Sequence, residues 1–222
     1  MTTDTAASAT GSAARLRHEA GVEGNARLSA SNGLLLVGLL AVEGFTVLSV
    51  RQMITLHVYL GIVLIGPVLL KTASTIYRFA RYYGGVEAYR RKGPPHPLLR
   101  LLGPLVILSS LALLGTGVAL IVAGPARSNL LLTLHQASFI GWVALMTVHV
   151  LGHVRSAARE SWRDVRPRRG DLASRRRAVR AALVVAALVA GVGAATALMP
   201  SASAWTSGHL RVQQHEHRGG NG

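Results

Sequence analysis

The chain's apolar residues are gathered into five blocks, roughly 28–50, 52–79, 98–123, 130–154 and 181–199. Each is about as long as the roughly 20 residues a helix needs to cross a bilayer. Backbone polar groups in lipid must be bonded within the segment that carries them, so each block is expected to be an α-helix. The fold class that follows is an all-α polytopic membrane protein. Pro67 in the second block and Pro104 in the third are candidate kink sites. Only 15% of the 222 residues are charged, against about 25% in soluble domains. That excludes a soluble nucleic-acid binder, in spite of 24 Lys and Arg against 9 Asp and Glu. It also leaves no stretch long enough for a large catalytic domain outside the membrane. With no cysteine, there is no disulfide, no iron–sulfur cluster on the chain's own thiolates and no thiol catalysis.

Between and around the blocks the chain divides simply. Residues 1–27 have no apolar h-region and are not a signal peptide; they are expected to form a disordered cytoplasmic lead. Residues 28–155 form a four-helix membrane core, 156–180 an Arg-rich link, 181–200 a fifth helix closed by Pro200, and 201–222 a His-containing tail. Nineteen Lys and Arg fall in the lead, the link between blocks two and three, and the link between four and five; four fall on the other side. Positive-inside logic places the N-terminus in the cytoplasm and the C-terminus outside, in a cell inner membrane. The net charge of +15 is then a topology and lipid-headgroup signal, and no nucleic-acid partner is expected.

Ionisable side chains inside a bilayer cost commonly about 2.5–3.5 kcal/mol at mid-depth on insertion scales, so each needs a reason. Here they are Glu43, His57, Lys71, His135, His149 and His153. His57 and Lys71 are 14 positions apart, as are His135 and His149. At about 100° per residue, such pairs return to within roughly 40° of one helix face. His57 follows Arg51 by six residues and His135 follows Arg127 by eight, so both are expected near the outer surface. Lys71 and His149 correspondingly approach the inner one. Two imidazoles at one depth make an axial pair for haem iron. A second site would lie below, where Lys71 faces His149.

Histidines 14 apart on the second and fourth helices of a four-helix core resemble the cytochrome b/b6 and bacterial cytochrome b561-like membrane proteins. The resemblance covers roughly residues 30–155 and rests on His57, His135 and His149. It implies b-type haem, one or two groups, between those helices, and electron exchange with quinones or a partner redox subunit. Gly103 and Gly117 on helix three, again 14 apart, match glycines that in that family let a porphyrin approach the backbone. The fourth ligand position departs from the family pattern, since it carries Lys71. Three roles stay open there. Lys71 can ligate iron as a neutral amine; the outer haem can stand alone; or His149 and His153 can hydrogen-bond a quinone headgroup. His153 shares their face, four residues after His149. Lys71 can also snorkel to the inner headgroups.

The reading is therefore an electron-transfer subunit rather than a stand-alone enzyme, with one outer haem on His57 and His135. Glu43 is open between a hydrogen bond within the bundle and proton uptake for a quinone. The alternative is a haem-free scaffold or a small ion or proton transporter lined by Glu43, Lys71 and His149. Quinone or ferric reduction would require a donor subunit, because the chain has no room for a flavin or nicotinamide domain. His96 reads as a loop residue; His209, His215 and His217 could take a divalent metal. The small residues of helix five, including Ala190-Gly-Val-Gly-Ala194, suit close packing on the core or on a partner, or a plain anchor.

Overall fold

A computed structural model of the protein describes residues 3–90, 97–161 and 171–219, with side chains described for 21–90, for 101–151 except Arg127, and for 177–206. The elements are α1 (Thr3–Leu48), α2 (Val50–Val63), α3 (Ile65–Tyr83), α4 (Glu87–Arg90), α5 (Pro97–Ala123), a 3₁₀ turn (Pro125–Arg127), α6 (Asn129–Ser161) and α7 (Asp171–Gly219). Among the described residues there is no strand. Five helical stretches are long and apolar enough to span a membrane: Gly21–Leu48, Val50–Tyr83, Leu101–Ala123, Asn129–Leu151 and Arg177–Thr206. The molecule is an all-α multi-pass membrane protein.

Three boundaries differ from the sequence expectation. The lead expected to be disordered is helical from Thr3 and runs unbroken into the first span. Its Ala-rich composition favours helix, and Glu23 pairs with Arg27 one turn later. Pro200 does not close the fifth helix, which continues to Gly219. A proline removes one helical hydrogen bond without forbidding helical φ, and here tertiary contacts hold the next turn. Ala202 is fully buried, and Trp205 Nε1 donates to the Leu120 carbonyl of α5 at 3.0 Å. The expected tail is thus helical as far as Gly219. The third difference concerns the prolines. Pro104 leaves α5 unbroken; the carbonyl it frees belongs to Arg100, just outside the apolar span, where water can take it.

Pro67 leaves its span helical. Leu64, between α2 and α3, keeps helical φ −61° and ψ −23°. The bonds from Leu64 N–H to the Leu60 carbonyl and from Val68 N–H to the Leu64 carbonyl run across it. What is lost is the N–H that Pro67 cannot offer to the Val63 carbonyl four residues earlier. That carbonyl is met by α7. A Cβ built on Gly191 would lie 2.2 Å from Val63 O, and one built on Gly66 would lie 1.9 Å from Ala187 O. Only glycine fits at either place, and the reciprocal approach brings Cα–H groups onto carbonyl oxygens. Around this crossing Ile62, Val63, Ile121, Ala195 and Ala202 form the buried core. The fifth span is therefore a central packing element rather than an outlying anchor.

The α1–α3 contact is polar and in register. Ser74 Oγ donates to Asn25 Oδ1 at 2.8 Å and Asn25 Nδ2 to the Ser74 carbonyl at 3.2 Å. Lys71 Nζ donates to Ser29, and Asn32 Nδ2 to the Pro67 carbonyl at 2.8 Å. Positions 25, 29 and 32 advance along one face of α1 while 74, 71 and 67 retreat along α3, as antiparallel helices require. At the far end of α3, Gly85 at φ 80° closes a Schellman turn. Gly85 N–H donates to the Tyr82 carbonyl and Val86 N–H to that of Arg81. This turn folds α4 back beside α3 and α1.

Candidate functional site

His57 on α2 and His135 on α6 are brought together. Their ring centres are 6.4 Å apart and the ring planes meet at 73°. α6 packs along α5, and among the described residues its backbone makes no comparable approach to α2 or α3. The two imidazoles reach across the space between those elements.

Each ring is held through the same nitrogen. His57 Nδ1 lies 2.9 Å from Glu43 Oε1 and 3.2 Å from Thr46 Oγ1. His135 Nδ1 lies 3.0 Å from Thr116 Oγ1. The proton positions follow from the partners. A hydroxyl has one hydrogen to give. Thr116 gives its own to backbone carbonyls of the preceding turn, with Ala112 O at 2.8 Å, so it accepts from His135 Nδ1–H. Thr46 donates to the Glu43 carbonyl at 2.7 Å, and a carboxylate accepts; His57 Nδ1 is likewise the protonated nitrogen. In the neutral ring with its hydrogen on Nδ1, Nε2 keeps the lone pair, the arrangement in which a histidine binds metal while its other nitrogen is fixed by a carboxylate or hydroxyl.

The spacing suits such a metal. Two nitrogens each about 2 Å from one ion put imidazole centres roughly 6 Å apart, close to what α2 and α6 provide. Gly117 borders the pair: a Cβ there would lie 3.3 Å from His135 Cε1. Gly103, one half of the expected glycine pair, instead faces the Phe79 ring. Among the described residues no group of three or more metal-type side chains forms.

Comparison with family models, with curated proteins and with solved structures finds no match to this chain. The site is judged on its own residues.

The remaining sequence candidates fall elsewhere. Lys71 Nζ donates to the Ser29 carbonyl at 2.8 Å and to Ser29 Oγ at 2.6 Å. That turns the amine onto α1. His149 is partly buried on α6. His153 is on the same helix and His209, His215 and His217 on α7, but their side chains lie outside the described residues, as does His96 altogether. Glu43, left open by the sequence, is the bundle hydrogen-bond partner of His57. Thr46 and Thr116 were missed. Threonine is common in membrane helices, and only its place one turn after Glu43, or one residue before Gly117, could have drawn notice.

Proposed function

We propose that this chain is a membrane electron-transfer subunit that holds one b-type haem between His57 and His135. The observation that carries the reading is the pair of imidazoles with both Nδ1 atoms engaged and ring centres 6.4 Å apart. Glu43 and Thr46 fix one ring, and Thr116 fixes the other. Bound there, haem would supply one-electron chemistry, with ligand basicity and burial setting its potential. The partner in this reading is a quinone or a redox subunit that exchanges electrons at the membrane. The reading is limited to one haem because Lys71 is committed to Ser29.

Positive-inside asymmetry supports a cytoplasmic membrane location with the N-terminus inside, and so places the site toward the outer face. A transporter reading has less support, because Glu43 and Lys71 are each already bonded to a protein partner. The test is a pyridine haemochrome assay on protein purified with haem supplied. The expected result is about one b-type haem per chain; colourless protein overturns the proposal.

A further inference from the structure

A second polar cluster lies at the other end of the second span, over its last two turns before Tyr83 and the short helix α4 that follows. The Schellman turn at Gly85 returns α4 toward α3 and buries Tyr89, which is only 6% exposed. The Tyr89 ring meets that of Tyr77 edge to face, with centres 6.4 Å apart. The Arg81 guanidinium stacks over the same Tyr77 ring, 5.7 Å from its centre. The Tyr89 phenol and the Arg81 guanidinium thus share the Tyr77 ring as their common wall. Arg78 is also near enough for its charge to act on Tyr89.

Two donors in this cluster are buried with no acceptor in good hydrogen-bond geometry among the described residues: Arg81 Nε and the Tyr89 hydroxyl. Burial, and the Tyr77 hydroxyl near enough to accept a weak hydrogen bond, push the Tyr89 phenol up, so it stays a neutral O–H donor. A buried donor left without an acceptor is destabilising, because it has lost its hydrogen bonds to water without replacement. Two such groups in one cluster, flanked by cations, ask for an anionic acceptor. Glu87 is the single acidic residue between Arg78 and Arg90 and leaves both donors unanswered.

We propose that Arg78, Arg81, Tyr77 and Tyr89 form a binding site for a phosphate group. The ligand that fits its position at the membrane surface is the phosphodiester of an anionic lipid headgroup. Guanidinium forks bind phosphate oxygens in pairs, aromatic residues at the interface hold headgroups at this depth, and basic residues there attract anionic lipid. The site differs from general attraction to a charged surface in that it uses a buried Nε–H and a buried phenol.

The test uses the full chain, purified in an uncharged detergent and stripped of lipid. Short-chain phosphatidylglycerol, phosphatidylcholine and inorganic phosphate are the probes, read by thermal shift and native mass spectrometry. Phosphatidylglycerol is expected to saturate one tight equivalent and to bind at least about tenfold more tightly than phosphatidylcholine. Arg81→Lys keeps the charge and loses Nε; Tyr89→Phe loses only the hydroxyl. Each is expected to weaken phosphatidylglycerol binding at least about fivefold. Arg51→Gln, at the opposite end of the span, should leave it unchanged. An equal response to inorganic phosphate would keep the phosphate chemistry and make the ligand a soluble anion. Equal retention of phosphatidylcholine and phosphatidylglycerol by the wild-type protein overturns the proposal whether or not the variants fold. So does wild-type affinity in either variant.

Discussion

Glu43 Oε1 on α1 lies 2.9 Å from Nδ1 of His57 on α2, with the Thr46 hydroxyl 3.2 Å from the same nitrogen. A carboxylate in that place makes the imidazole a more basic ligand. Glu43→Gln keeps an acceptor but removes the charge. Haem should remain bound with its midpoint potential raised, because the ferric state loses the more electron-rich ligand. Glu43→Ala removes the partner and should weaken metal retention by about 10–100-fold. Potentiometric titration of the reduced α-band checks the first outcome and haem-to-protein stoichiometry the second.

The two imidazoles of the site are not interchangeable with the other histidine of α6. His57→Ala or His135→Ala each leaves a single axial ligand and should abolish the reduced-minus-oxidised b-type signal. His149→Ala should retain it, because that residue stands 14 positions from His135, roughly 21 Å along the helix. Visible spectra of the three variants decide the matter. A signal kept in both His57→Ala and His135→Ala would mean that any haem is held elsewhere.

Much of this was legible in the sequence. The five spans could be read because apolar runs of bilayer length have few other uses. Their ends fall within four residues of expectation except at the start of the first and the end of the fifth, each seven residues longer. The His57–His135 contact could be anticipated from depth, since each follows a basic residue by a similar distance. The role of Lys71 could not. Its partner Ser29 is 42 residues away, and serine carries no pattern that singles it out. The helical lead escaped notice because Asn25, which looks like part of a cytoplasmic segment, is on the α1 side of a helix contact with Ser74. Pro200 misled for a related reason: a proline announces a lost hydrogen bond, while the packing of Trp205 on α5 that offsets it is tertiary.

Lys71 has a structural part that can be measured apart from haem. Lys71→Met keeps the stem and removes both hydrogen bonds to Ser29, loosening the α1–α3 contact. The expected loss of stability is about 1–2 kcal/mol, the upper range for interhelical polar contacts in membranes. Ser29→Ala should cost less, because the amine keeps the Ser29 carbonyl. Haem content should be unchanged in both. Thermal unfolding in detergent, followed by tryptophan fluorescence, reads the loss; a fall in haem stoichiometry in Lys71→Met would instead connect this residue to the cofactor.

The crossing of α7 with α2–α3 makes the sharpest stability contrast in the molecule, because two glycines two residues apart have opposite surroundings. A Cβ on Gly191 would stand 2.2 Å from the Val63 carbonyl oxygen and 3.2 Å from its Cα, whereas one on Gly193 would meet nothing within 4 Å. Gly191→Ala therefore cannot be accommodated by a rotamer change, since the obstacle is backbone. The helices must separate, which loses the close approach to the Val63 carbonyl that Pro67 leaves unpaired. The expected cost is at least about 1–3 kcal/mol, as for an overpacked core. Gly193→Ala should be neutral or slightly stabilising, since alanine is the better helix former. Thermal midpoints of the two variants, with the yield of monodisperse protein, compare them directly. Equal midpoints would show that α7 does not seat against Val63 as described.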